Sequence, residues 1–274
     1  MRGARRLLVV TALIAIGLAN VPVVAAADVT VAGSNVNIAN QATVPVSGTA
    51  DPNVPVDLSV TDFGAAHTVS DTTTSDGSGN WTMSEDLSSL NDGAISFDVT
   101  CTTCAGATTA SDTSKTKDTV APAVAITAYP HPINLANENP ASVSGTGENL
   151  DTIHLTVTDT SSHTVSGNTT VSGTSWTVSG LNLSSLIDGD VITYTVTATD
   201  GFGNTGTDSQ TATKGTVVPT VAITAWTHPI NIANEGSASA SGTGQNGDTI
   251  HLAVTDTSSH SVSGNTSVSG GASR

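Results

Sequence analysis

The chain has little of what helical and catalytic proteins depend on. Of its 274 residues only 11% are charged and 3% aromatic, and Lys and Arg number seven against 23 Asp and Glu. Helix-forming Lys, Arg, Gln and Glu are scarce, which argues against a helical fold. Two cysteines are too few for a zinc knuckle, which needs a second pair. Beyond the first residues nothing resembles a membrane helix. What remains is Ser, Thr and Gly alternating with Val, Ile and Ala, a pattern of short strands and turns. At this length it predicts two or three small domains rather than one large core.

The few basic residues are unevenly placed. Arg2, Arg5 and Arg6 precede the apolar run Leu7 to Leu18, and Ala25 and Ala27 supply small residues for cleavage. Residues 1–27 therefore read as a signal peptide, with the mature, exported chain starting at Asp28. An uncleaved anchor is the alternative, disfavoured because the run is short and broken by Asn20 and Pro22. After cleavage Lys115, Lys117, Lys214 and Arg274 face 23 acidic residues, a formal charge of 4 − 23 = −19. Phosphate backbones and anionic lipid surfaces attract clustered Lys and Arg. Neither nucleic acid nor membrane insertion of the mature chain is expected.

One paragraph of sequence is written more than once. "GTGENLDTIHLTVTDTSSHTVSGNTTVSG" at Gly145 returns as "GTGQNGDTIHLAVTDTSSHSVSGNTSVSG" at Gly242, 97 residues later, and Ile126/Ile223, His131/His228 and Asp159/Asp256 keep the same interval. A diverged copy lies upstream, where "NIAN" at Asn37 precedes "NLAN" at Asn134 by 97. Such a fixed period marks a modular array. Three modules are expected, at 28–118, 119–216 and 217–274.

Inside one module the period is that of strands. Ile153, Leu155 and Val157 alternate with His154, Thr156 and Thr158, and Ile192, Tyr194, Val196 and Ala198 alternate with threonines. About seven such segments fit within a hundred residues, the spacing of an immunoglobulin-like β-sandwich. The fold class is therefore all-β. Trp81 and Trp176 read as core plugs, because they carry large apolar area where few other aromatics exist. Tyr194 resembles the tyrosine of a tyrosine corner, whose hydroxyl ties back to the chain; the first module has Phe97 there.

No catalytic residue stands out. "GFGNTG" from Gly201 matches a dinucleotide fingerprint in letters, but a Thr-rich strand follows it instead of a helix. Ser, His and Asp recur with the repeat, whereas a reactive constellation is seldom copied into every module. The seven histidines have no close spacing suited to zinc and read as exposed polar residues. Cys101 and Cys104 form C-x-x-C near a hairpin tip, and export favours a local disulfide over a redox pair.

The ordered motifs "SGTGE", "TIHLTVTD", a single Trp, "LSSLIDG", "YTVTATDGFGN" and "TKDTVAP" resemble the tandem bacterial Ig-like domains of large secreted and cell-surface proteins, including adhesins and biofilm proteins. The likeness covers Val29 to Arg274. It implies a non-enzymatic spacer, stalk or adhesin segment, secreted or held at the cell surface, whose partners are an unknown surface ligand or neighbouring modules of a longer chain. The alternative is an accessory stalk or binding module of a secreted polysaccharide-active enzyme. No cofactor is required, but in related arrays Asp residues near module junctions bind calcium. By position the candidates are Asp118, Asp159 and Asp200; the second junction has Gly215 in place of the acid. The competing reading is that these carboxylates cap turns. The third module ends before its Trp strand and last two strands, so the chain is expected to be a fragment of a longer array.

Overall fold

The computed structural model describes residues 27–270, so the predicted signal peptide lies outside the described residues apart from its last alanine. The chain divides into two compact units, the first reaching Ala121 and including Phe202–Asn204, the second made of Pro122–Gly201 and the residues from Thr205 onward. Among the described residues there are seventeen strands and one short 3-10 turn, Glu235–Ser237, and no α-helix.

The first unit is a two-sheet sandwich. Strands β1 (Val44–Thr49) and β4 (Asn80–Glu85) pair in one sheet; β3 (Thr68–Thr74), β2 (Pro55–Asp62), β5 (Gly93–Thr100) and β6 (Thr109–Lys117) form the other in that order. Alternate residues of β2 and β5 point inward: Val56, Leu58 and Val60 meet Ile95, Phe97 and Val99 in one buried cluster with Trp81. A disulfide joins Cys101 to Cys104 in the turn after β5.

The second unit repeats this plan from Pro122 to Lys214. Strands β7 (Ala125–Ala128), β8 (Ala141–Thr146) and β11 (Ser175–Leu181) make one sheet, with β8 central. Strands β10 (Thr164–Thr170), β9 (Thr152–Thr158), β12 (Val191–Thr199) and β13 (Thr205–Thr213) make the other. All seven segments expected from the alternation are present. Ile153, Leu155 and Val157 of β9 and Ile192, Tyr194, Val196 and Ala198 of β12 are buried, while the alternating threonines are half-buried or exposed. The indole of Trp176 lies over Gly145 of the neighbouring strand and donates to the carbonyl of Thr146 at 3.0 Å. A Cβ on Gly145 would stand 2.6 Å from Trp176 Cζ2 and closer still to the carbonyl of Ala125, so only glycine admits the ring. Gly48 and Trp81 repeat the arrangement in the first unit.

From Val217 the third copy begins with strands β14 (Ala222–Trp226), β15 (Ala240–Thr243), β16 (Thr249–Thr255) and β17 (Ser261–Ser267). They form two separate hairpin sheets, and among residues 217–270 no side chain is buried.

Replacing Trp176 by Ala is expected to cost about 3–5 kcal/mol, because it empties the centre of a closed sandwich. Trp226→Ala, at an exposed position, should change stability by less than about 0.5 kcal/mol. Chemical denaturation of both variants checks the contrast.

Candidate functional site

The polar groups that the two complete sandwiches hold inside themselves sit at corresponding places. Lys117 ends β6 and Lys214 follows β13, and both are buried. The ammonium of Lys117 donates to the carbonyls of Leu87, Ser88 and Leu90 at 3.0, 3.2 and 2.5 Å. Lys214 does the same with Leu183, Ser184 and Leu186 at 2.9, 3.2 and 2.7 Å. These carbonyls belong to the Leu-Ser-Ser-Leu loop that carries the chain from one sheet to the other, and its leucines are core residues. Three charge-assisted hydrogen bonds replace the water that a buried ammonium loses. In the second unit Glu138 adds a carboxylate 3.2 Å from Lys214; the first has Gln41 at the corresponding position.

A second repeated device is an Asp–His turn. Asp159 accepts from the amides of Ser161, His163 and Ile187 at 3.0, 2.9 and 3.1 Å, and stands 2.8 Å from His163 Nδ1. Burial pushes its pKa up, but the amide and ring of His163 and the amide of Ile187 outweigh it, so the carboxyl titrates below its usual range. Asp62 is held the same way: the amide of His67, the amide of Asn91 and the ring of His67 bring it well below an ordinary carboxyl. Both turns also bind an amide of the loop that leads into the neighbouring strand of the same sheet, β5 or β12. Asp256 keeps the local half of the device, with amides of Ser258 and His260 at 2.9 Å and His260 Nδ1 at 2.9 Å, but remains exposed.

Among the calcium candidates, then, Asp159 has both oxygens engaged by its own fold. Asp118 Oδ1 accepts from the amide of Val120 at 3.0 Å, capping the turn that follows β6. Asp200 follows β12 and lies near another acid that the sequence reading missed. Asp151, just before β9, is buried, and its Oδ2 has no hydrogen-bond partner. Burial, Glu148 and Asp200, in that order, push its pKa up. An orphaned buried carboxylate oxygen amid negative neighbours is the setting a hard cation would relieve, and it fits a cation better than Asp159 does. Among the described residues, however, no three His, Cys, Asp or Glu side chains are gathered as a ready-made metal cage.

The remaining candidates have structural surroundings. Trp81, Trp176 and Tyr194 are buried, and the Tyr194 hydroxyl donates to the carbonyl of Pro130 at 3.1 Å. Burial, then Tyr129, pushes that phenol's pKa up. His154 and Asn168 meet across the surface of β9 and β10 at 2.7 Å, and His251 and Asn265 repeat the pair at 2.7 Å.

No family model matches the chain, and no curated protein matches it. Among solved structures it is similar to a tetra-tandem repeat in the extending region of a large adhesion protein, with 26% identity and a TM-score of 0.34 over 88% of this chain and 63% of that one. It is also similar to a structure concerned with host cell surface retention of a 1.5-MDa bacterial ice-binding adhesin, with 20% identity and a TM-score of 0.39 over 87% of this chain and 95% of that one. The FN1–FN3 domains of chicken CNTN1 share 11% identity and a TM-score of 0.35, covering 68% of each chain. The chain thus spans less than two thirds of the first of these structures.

Two outcomes follow from the buried polar groups. Lys214→Met leaves three loop carbonyls and Glu138 without their cation and should destabilise the second unit by about 3 kcal/mol, read by chemical denaturation. Because the folded pKa values of Asp62 and Asp159 are depressed, their stabilisation is complete above the unfolded value near 4 and is lost as pH falls through the folded values. The melting temperature should therefore drop on acidification below about pH 5, and Asp62→Asn with Asp159→Asn should flatten that slope.

Proposed function

We propose that this chain is an exported, non-enzymatic segment of a cell-surface protein, in which sandwich modules serve as the spacer or stalk of an adhesin. The observation that carries this reading is what the complete copies have in common. The buried Trp over glycine, the lysine under the loop and the Asp–His turn recur in both, and each holds a sandwich shut. An array whose shared features are structural is suited to setting a distance. In a cell that attaches through this protein, replacing residues 28–216 with unrelated sandwich modules of equal length should preserve attachment, and shortening them should weaken it. Failure of the equal-length replacement would mean that these modules bind the target themselves.

Calcium enters the proposal at Asp151, Glu148 and Asp200, since the oxygens of Asp159 are committed to its turn. A divalent cation there would offset the cost that burial and neighbouring acids impose on an ionised Asp151. Millimolar calcium should then raise the melting temperature of the mature chain. Asp151→Asn should raise it without calcium and cancel the calcium response. An unchanged melting temperature on adding calcium to the unsubstituted chain would remove the cation from the proposal.

A further inference from the structure

One seam of the first sandwich is built of acids where the second is built of hydrocarbon. Along one side the edge strand β3 of one sheet lies beside β4 of the other, as β10 lies beside β11 in the second sandwich. The 97-residue period lets the two seams be compared position by position. Val44 stands opposite Glu85 across β1 and β4, and its counterpart Ala141 stands opposite Leu181 across β8 and β11. Leu58 stands opposite Asp71, and its counterpart Leu155 stands opposite Gly167. Glu85 therefore takes the place of Leu181, and Asp71 that of Gly167.

Glu85 and Leu181 are equally enclosed, each 5% exposed. In the second sandwich a Cβ on Gly167 would stand 2.5 Å from Val178 Cγ1 and 3.4 Å from Leu181 Cδ2, so β10 closes onto the apolar side chains with nothing between. In the first, Val69 and Met83 pack against the core from the two edges, and Glu85 is buried with its Oε1 lacking any hydrogen-bond partner. A carboxyl so placed is tolerated as the neutral acid, because ionisation would leave a full charge in an apolar surrounding. Burial, then the charge of Asp71, pushes its pKa up. β1 and β4 bring no other titratable side chain to the seam, and β3 brings only Asp71. Asp86, next in the chain, is engaged by the amide and hydroxyl of Ser88, and the ammonium of Lys117 is spent on three loop carbonyls.

We propose that Glu85 is a proton-operated latch on the first sandwich: as the neutral acid it lets β3 lie closed against β4, and once ionised beside Asp71 it turns toward water and loosens the β3 edge. The proton passes to solvent and returns from it, so no other reactant is needed. Because the folded pKa lies above the unfolded one, the stabilisation is whole below the ordinary glutamate value of about 4.3 and is lost as pH rises through the folded value. Asp62 and Asp159 act in the opposite sense, holding their turns at neutral pH and releasing them in acid. The second sandwich, with Leu181 in the seam, has no such latch. Two modules of one plan thus differ in how acidity affects their closure.

The test uses residues 28–274 and compares β3 with β10 inside one molecule. The side-chain carboxyl carbon of Glu85, followed by nuclear magnetic resonance, should titrate above the usual glutamate value of about 4.3. Hydrogen-exchange protection of the β3 amides, normalised to that of the β10 amides, should fall at least about threefold between about pH 4 and about pH 8, in step with that titration. Glu85→Leu, which installs the residue of the second sandwich, and Glu85→Gln, which keeps the shape without the charge, should each hold the ratio constant over the same range. Asp71→Asn should lower the Glu85 midpoint and shrink the loosening. His67, paired with Asp62 ahead of β3, is the other titratable group on this flank; a pH response that persists in both Glu85 variants would belong to it and overturn the proposal. A Glu85 midpoint at or below the usual value, or a β3 to β10 ratio indifferent to pH, does the same. So does a ratio at neutral pH that shifts on adding millimolar calcium or a chelator, since a cation and not a proton would then occupy the seam.

Discussion

A single ammonium group under a loop organises each complete sandwich. The Leu-Ser-Ser-Leu segment must cross between sheets, and a crossing loop leaves carbonyls facing inward. Lys117 and Lys214 reach these carbonyls from the last strand, so the end of the module fastens its middle. The same contact draws Leu87, Leu90, Leu183 and Leu186 into the core. Removing the lysine would leave the carbonyls desolvated and unsatisfied, and removing the loop would leave a charge in an apolar interior; neither partner is tolerable alone. The final strand thus becomes a condition for the earlier ones.

The third copy separates what short-range sequence determines from what burial determines. Its β16–β17 hairpin keeps the register of β9–β10, its Asp256 gathers the same turn amides as Asp159, and His251 still meets Asn265. These interactions lie within one hairpin and need no second sheet. The loop amide that Asp159 receives from Ile187 belongs to the closing part of the module, and no equivalent exists in residues 217–270. Turn chemistry and strand alternation therefore build the hairpins, and the opposite sheet converts them into a core.

Much of the fold was legible because strands announce themselves with a period of two. Ile153, Leu155 and Val157 point inward as the alternation requires, and Trp81 and Trp176, in a chain with so few aromatics, fill the core as their large apolar area suggests. The polar interior was harder to read. A lysine at a strand end ordinarily reads as solvent-facing, and the only hint lay in Lys117 and Lys214 recurring 97 residues apart, each after its own Leu-Ser-Ser-Leu loop. Asp159 carried an ambiguous signal, since an acid beside a turn suits a cation and a row of amides equally well; in the fold its oxygens accept from the amides of Ser161, His163 and Ile187. The orphaned oxygen of Asp151 had no local signal, because one of the acids that press on it, Asp200, belongs to a strand end remote in sequence.

Placing the lysines inside has an outcome for digestion by proteases. Between residues 27 and 270 the bonds available to a protease that cleaves after Lys or Arg follow Lys115, Lys117 and Lys214. Lys117 and Lys214 are enclosed by their loops, and Lys115 lies within β6 with its ammonium 3.5 Å from Asp112. A trypsin-like enzyme must fit its substrate as an extended, unpaired chain with the basic side chain free. To such an enzyme the closed sandwich is almost without cleavage points, and a cut after Lys214 would record the moment when the whole module had opened.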